Sequence, residues 1–249
     1  MRVVILGAGT AIPAKGHSPA GIYVQIAKEH VLLDAGPGTV QRLHAAGISP
    51  FGIDRVFLTH FHLDHCLDMA SLLFALRIPH PIRTKPLTIY GPRGLKRLFR
   101  QLNTTFHGWL APRTYRLTLR ELEETRVRCP GYTVTTRRMT HSTTALGYRL
   151  EAQGKRMTYS GDTDVCASIV ELGHRAHVLI LECSHPDARK VAGHLTPTDC
   201  GRIAAQARCR HLVLTHFYPV FRGVDIRRCV RRAFTGRLTL ARDLLAIRT

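Results

Sequence analysis

Lysine is scarce in this chain. Of 36 basic residues only six are lysine (Lys15, Lys28, Lys85, Lys96, Lys155 and Lys190), so 30 are arginine. Acidic residues are also few, 17 in all, and the formal net charge is +19. Guanidinium forks pair well with phosphate or sulfate, and a strongly positive surface attracts polyanions. An arginine-rich coding habit gives the same count, because the basic residues are dispersed along the chain. No apolar run approaches the ~18 residues of a membrane span, which excludes a transmembrane helix. Val3 to Leu6 is too short for a signal-peptide core and reads as a first strand. The seven cysteines are odd in number and irregularly spaced, and none forms a Cys-x-x-Cys pair. A disulfide framework is thereby disfavoured and a reduced, cytoplasmic setting expected. No linker or low-complexity stretch appears, so a single domain over residues 1–249 is expected.

What is present is an alternation of short apolar runs and amphipathic segments. Val3 to Leu6, Gly21 to Ile26, His30 to Leu33, Arg55 to Thr59, Leu87 to Tyr90, Tyr132 to Thr136, Leu146 to Leu150, Met157 to Ser160, Val178 to Leu181 and Leu212 to Leu214 read as strands. Helices are expected over Thr39 to Ala46, Asp68 to Leu76, Gly94 to Leu102, Thr198 to Ala207 and Ile226 to Phe234. The pattern implies an α/β domain. There is also an internal echo: Arg55 to Phe61 and His211 to Phe217 are both apolar strands ending in Thr-His-Phe. Chance would produce so short a match, and so would two similar halves that each lend a histidine to one site.

Histidine is abundant, 15 residues, and its placement is informative. His60-Phe61-His62-Leu63-Asp64-His65 sets four metal-competent side chains within six residues, directly after a strand. A strand end lets His60 and His62 point the same way, and the loop that follows brings Asp64 and His65 round from another side. Imidazole with carboxylate suits zinc, manganese or iron better than calcium. Three further candidates sit at strand ends or in a loop between strands: His141, Asp162 and His216. Together they complete two sets, His60, His62 and His141 for one ion and Asp64, His65 and His216 for a second, with Asp162 between them. Two divalent ions, zinc first among the candidates, would lower the pKa of a bridging water toward ~7 and clamp an in-line displacement at phosphorus.

These motifs resemble the metallo-β-lactamase superfamily and, within it, the ribonuclease Z-like branch. Leu6 to Pro13, Leu33 to Thr39, Leu87 to Pro92, Ser160-Gly161-Asp162-Thr163 and Leu214-Thr215-His216 each resemble a family segment. The resemblance implies an αββα four-layer sandwich of two packed mixed sheets flanked by helices, with Asp34 as a support behind the ligands. Leu181-Glu182-Cys183-Ser184 and Gly193-His194-Leu195-Thr196 resemble segments carrying a supporting glutamate and a histidine at the scissile phosphate. By that analogy His194 stabilises developing charge or protonates the leaving oxygen, Glu182 orients it, and Asp64 helps position the nucleophile as well as binding metal. Relatives of this kind often pair through the helices after the histidine motif, here around Leu67 to Leu76, so a homodimer is an expected assembly.

The chain departs from that branch in two respects, the lesser being that Cys66-Leu67-Asp68-Met69 lacks the glycine and proline usual after that family's histidine motif. Ribonuclease Z carries an arm, between the third histidine and the bridging aspartate, that grips tRNA. Here His141 and Asp162 are 21 positions apart, and a plain hairpin uses them up. The expected activity is therefore hydrolysis of a small phosphodiester, a cyclic nucleotide or a nucleic-acid end by a metal-bridging hydroxide. An aryl sulfate, lactone or thioester would suit the same site, since a fold does not fix a function. A non-catalytic nucleic-acid-binding protein is a third reading, and the intact ligand set and His194 argue against it. Phe106 to Trp109, with the only tryptophan, suits either a lid or a packed loop.

Overall fold

The computed structural model describes residues 1–248. Strands β1 (Arg2–Gly7), β2 (Gly21–Ile26), β3 (Glu29–Leu33), β4 (Arg55–Phe57), β5 (Leu87–Pro92) and β6 (Leu117–Leu122) form the first sheet. Strands β7 (Arg126–Cys129), β8 (Tyr132–Arg138), β9 (Leu146–Ala152), β10 (Lys155–Tyr159), β11 (Val178–Glu182), β12 (His211–Thr215) and β13 (Arg237–Leu240) form the second. The last strand, β14 (Leu245–Arg248), returns to pair antiparallel with β1. The sheets share one plan. In the first, β1, β2 and β3 are antiparallel and β3 to β6 parallel. In the second, β7 to β10 are antiparallel and β10 to β13 parallel.

Helices α1 (Thr39–Ala45), α2 (Leu63–Cys66), α3 (Asp68–Arg77) and α4 (Leu95–Thr105) belong to the first half, and α5 (Ala167–Leu172), α6 (Pro197–Gln206) and α7 (Ile226–Arg231) to the second. The period-2 alternation of each strand decides the layers. Val3 and Ile5 of β1, Val31 and Leu33 of β3, Tyr148 and Leu150 of β9 and Val178 and Ile180 of β11 share one core between the sheets. Their neighbours Val4, Leu6 and Leu32 pack with Leu43 of α1 and Leu72 and Leu73 of α3. On the other side, Leu179, Leu181, Leu212 and Leu214 pack with Ile169 of α5 and Ile203 of α6. The result is the expected order of helices, sheet, sheet, helices. Each fully buried apolar side chain contributes about 1.5–3 kcal/mol relative to exposure, so the inter-sheet core is a main source of stability.

Some expected boundaries move. The strand read over Arg55 to Thr59 ends at Phe57, and the helix read over Ile226 to Phe234 ends at Arg231. Asp64 and His65 lie not in a loop but on the one-turn helix α2. Helix α6 starts on a capping box, with Thr196 and Asp199 exchanging side-chain to backbone bonds and Pro197 in the first turn. Among the described residues no helix is long and apolar enough to cross a membrane.

The shared plan also corrects the reading of the Thr-His-Phe echo. By position in the sheets β4 corresponds to β11, the strand after the switch to parallel pairing, and β12 corresponds to β5. The two echoing segments are thus not equivalent strands of two similar halves. The equivalent positions are Asp34 after β3 and Asp162 after β10.

Candidate metal centre

Parallel strands deliver their carboxyl ends to one edge of the molecule, the usual place for a site in an α/β sheet. Asp34 follows β3, His60 follows β4 through Leu58 and Thr59, Asp162 follows β10, Glu182 ends β11 and His216 follows β12. Three of these turns are left-handed: Asp34 (φ 57°), Gly161 (φ 60°) and His216 (φ 61°). At Gly161 a side chain is excluded twice, since a Cβ would also lie 2.7 Å from Thr59 Cβ. Bonds between the sheets fix the loop that carries His60. Leu146 N donates to Thr59 O at 2.9 Å, and Tyr148 Oη donates to Leu58 O at 2.6 Å.

Every residue expected to hold metal is brought to this edge. His60, His62, His141 and Asp162 converge in one group, and Asp64, His65 and His216 in another, with the donor atoms of each group within 4.8 Å of one another. Asp162 faces both groups. Its Oδ2 lies 3.8 Å from His60 Nε2 and from His141 Nε2, while its Oδ1 lies 3.3 Å from His65 Nε2 and 3.5 Å from His216 Nε2. Asp64 Oδ2 lies 3.4 Å from His216 Nε2. His62 turns Nδ1 inward, 3.1 Å from His141 Nε2.

The donor set fits divalent metal. His60 Nε2 and Asp162 Oδ1 are buried atoms without a hydrogen-bond partner, and buried polar atoms rarely stay unpaired unless an ion or water meets them. Nitrogen and carboxylate donors in these numbers suit a first-row divalent ion.

Behind the donors the other ring nitrogens are held, which fixes each ring's orientation. Asp34, fully buried, accepts four bonds: from Thr59 N (2.7 Å) on Oδ1, and from Thr59 Oγ1 (2.9 Å), His65 Nδ1 (2.8 Å) and Tyr159 Oη (2.9 Å) on Oδ2. Thr59 Oγ1 in turn lies 3.0 Å from His60 Nδ1. Gly193 O accepts from His141 Nδ1 at 2.9 Å. Ser184 Oγ lies 2.9 Å from His216 Nδ1 and donates to Glu182 Oε2 at 2.5 Å.

Electrostatics divides the histidines. Burial, reinforced by His65, keeps His60 well below the usual imidazole range. Burial and His141 lower His62 as well. Burial opposes charge at His65 too, but Asp162 and Asp34 outweigh it and raise its pKa well above the ordinary value. Burial would raise Asp162, yet His216 and His65 hold it well below the carboxylate range, so it stays ionised.

His194 and Glu182 meet at the same edge. His194 Nδ1 donates to Glu182 Oε1 at 2.9 Å, and a donor atom of His194 groups with those of Asp162 and His216. Burial lowers the His194 pKa, but the hydrogen bond and charge of Glu182 more than reverse this and raise it. Glu182 is itself pinned by Thr163 N (3.0 Å), Leu195 N (3.2 Å) and Ser184 Oγ.

The sequence did not single out Ser184, His185 or Tyr218. His185 and Tyr218 stack at 4.8 Å with rings 20° apart, and Tyr218 lies 5.9 Å from the His216 ring. A signal was available, since each lies within three residues of a residue already chosen. Trp109 packs elsewhere, with its ring 5.8 Å from Phe74 and Arg77 4.8 Å above it. Its ring contacts are with α3 and Arg113, not with the metal cluster. On α3 and just before it, the face expected to pair two copies is solvent-exposed at Phe74 and Leu67.

The chain resembles known proteins over nearly its whole length. It is 28% identical to the ribonuclease Z of Streptomyces avermitilis, over 99% of this chain and 97% of that one. Human tRNase Z, short form, superposes with a TM-score of 0.82 at 25% identity, covering 100% of this chain and 99% of that one. The metallo-beta-lactamase fold protein YhfI from Bacillus subtilis superposes with a TM-score of 0.84 at 23% identity, over 99% and 98% of the two chains. The pattern of the Beta-lactamase superfamily domain matches residues 29–217, a stretch that runs from β3 through the last clustered histidine and its neighbour. A match over that much of the chain places the protein in the beta-lactamase superfamily, on the ribonuclease Z-like side of it.

Proposed function

We propose that this chain is a single-domain, dinuclear metal-dependent phosphodiesterase acting on a small phosphodiester or the end of a nucleic acid. The observation that carries the reading is His194, held by buried Glu182 and set beside Asp162 and His216 at the rim of the donor cluster. His60, His62, His141 and Asp162 would hold one ion, and Asp64, His65, His216 and the other oxygen of Asp162 the second. Bound divalent ions, zinc first and manganese or iron next, would supply charge that polarises the phosphoryl group and lowers the pKa of a water.

The protein's own groups do the rest. Asp64, whose carboxylate also accepts Ala11 N at 3.1 Å, is fixed to orient the attacking oxygen. His194, with Nδ1 given to Glu182, keeps Nε2 for the substrate. In its cationic form it stabilises the developing charge and protonates the leaving oxygen. Glu182 maintains that cation.

The ribonuclease Z relatives support an RNA-type diester, but this chain is shorter than they are. The alignment to the Streptomyces relative runs over 304 positions against 249 residues here, so at least 304 − 249 = 55 of them are gaps in this chain. Between His141 and Asp162 the chain builds only β9, a two-residue turn at Gln153 and Gly154, and β10. Nothing there protrudes to grip a folded RNA, which favours a small substrate or a free strand end.

Elemental analysis of protein purified without added metal should find close to two transition-metal ions per chain. A panel of bis-aryl phosphate, cyclic nucleotide, aryl sulfate and lactone should show preference for the phosphodiesters. His194→Ala should lower phosphodiester turnover by about 10²–10⁴-fold, the usual weight of a positioned acid. Full turnover by that variant, or preference for the lactone or sulfate, would sink the proposal.

A further inference from the structure

Beside the metal centre lies a second cavity that the hydrolytic reading leaves unused. Its volume is about 450 Å³, within the ~300–1,000 Å³ of small-molecule pockets. The loop after β12, the start of α7, the end of β13 and the loop after β1 border this open cleft, with Tyr218, Phe221, Ile226 and Leu240 among its walls and Arg222 and Arg242 also lining it. Both arginines are exposed, and neither guanidinium makes a hydrogen bond or ion pair among the described residues. The neighbouring acid is already engaged: Asp243 pairs with Arg42 at 3.0 Å and accepts the Ser18 and Ala8 amides. Among the described residues, then, neither cation is paired with an acid.

Tyr218 joins this cavity to the site. Its ring lies 6.2 Å from His194 and 5.9 Å from His216 while also forming part of the cavity wall, and His185 stacked on it fixes its plane. The cavity wall and the clustered histidines thus share one ring, and a diester arm that passed Tyr218 from the metal centre would enter this space. Aromatic and aliphatic walls favour a flat, apolar ring. Two unpaired guanidinium groups favour an anion attached to that ring. An alkyl or lipid arm would leave the arginines unused, and a bare phosphate would leave the walls unused.

We propose that this cavity is a nucleotide subsite: the base packs against Tyr218 and Phe221, and an adjoining phosphate pairs with Arg222 and Arg242. The inference rests on the phosphodiesterase reading for its orientation, and it names the arm of the substrate that sets specificity.

The test reads binding rather than turnover. Isothermal titration of the metal-loaded protein is carried out with AMP, ribose 5-phosphate, orthophosphate and a tetra-adenylate. Base–aromatic stacking of ~1–3 kcal/mol corresponds to about 5–150-fold in affinity, so AMP should bind about tenfold more tightly than ribose 5-phosphate. Arg222→Ala with Arg242→Ala should weaken AMP at least about fivefold, consistent with loss of charge-assisted bonds. Phe221→Ala should narrow the gap between AMP and ribose 5-phosphate. Equal affinity for AMP and ribose 5-phosphate overturns the proposal, and so does unchanged AMP binding in the double arginine variant. Tetra-adenylate that displaces AMP marks the occupant as a strand end, whereas AMP binding that it cannot displace marks a free nucleotide. AMP binding with this pattern in a protein that cleaves no diester would refute the activity alone. Diester cleavage indifferent to the base would refute the subsite alone.

Discussion

Asp34→Asn isolates the group on which the centre's geometry rests. The asparagine keeps the volume and tolerates the left-handed turn at this position (φ 57°). It cannot keep the bonding. Four buried donors converge on the carboxylate, three of them on Oδ2. An amide offers one acceptor oxygen. If that oxygen faces Thr59 Oγ1, His65 Nδ1 and Tyr159 Oη, the amide NH₂ faces the Thr59 N–H and that donor is orphaned. In the opposite orientation the NH₂ faces two hydroxyls that can turn to accept, and the His65 N–H is orphaned instead. Either arrangement costs about 1–3 kcal/mol for one unmet buried donor. The other bonds, no longer charge-assisted, lose about half their strength. The expected total is about 2–5 kcal/mol, a large share of the ~5–15 kcal/mol that holds a domain folded. His65 also loses the carboxylate that orients its ring, and metal affinity should fall about 10–100-fold. Urea unfolding of chelator-treated protein measures the first effect, and competition against a chromophoric chelator measures the second. Metal affinity within twofold of the parent protein would refute the role given to Asp34, and unchanged unfolding would refute the bond count.

Two other perturbations probe the site from different sides. Glu182→Gln removes the charge that raises the His194 pKa, so the alkaline limb of kcat, where His194 loses its proton, should move to lower pH. The same pair contributes stability that is complete below the unfolded imidazole value of ~6.5 and is lost as pH rises through the raised folded value. The stability gap between parent and variant should therefore shrink toward alkaline pH, and an unmoved kcat profile would contradict the pairing. Gly36→Ala would put a Cβ 2.0 Å from Asp64 O, so α2 must shift. About 1–3 kcal/mol of stability should be lost, as for other overpacked sites, together with metal affinity. Thermal unfolding and metal analysis indistinguishable from the parent would show that the backbone there gives more easily than the packing suggests.

Much of this arrangement is legible in residue order because strand alternation and ligand clustering are local signals. His60 to His65 sit on a strand end and its sequel, and the strands before His141, Asp162 and His216 carry clear apolar patterns. Other elements escaped for physical reasons. β14 owes its existence to pairing with β1, some 240 residues away, and its alternating Leu245, Ala246, Ile247 and Arg248 say little alone. β6 and β7 are half-exposed and carry Arg120, Glu121, Arg126 and Arg128, so their patterns read as surface. α2 is a single turn, shorter than any periodicity can register. The convergence of Ser184, His185 and Tyr218 on the histidines appears only when β11 and β12 lie side by side, with Glu182 opposite Thr215.

The division of donors between the sheets makes the metal a fastener. His60 and His62 belong to the first half of the chain while His141 and Asp162 belong to the second, and Asp64 and His65 face His216 in the same way. Cutting the exposed turn at Glu123 and Glu124 would leave two fragments, each holding only part of the His60–His62–His141–Asp162 group and of the Asp64–His65–His216 group, with β14 of the second interlocked in the sheet of the first. Bound ions would then act as bolts across a joint, stabilising the joined form by mass action. Retention of metal by mixed fragments becomes a gauge of assembly, and withdrawal of metal loosens the joint without touching either sheet's own hydrogen bonds.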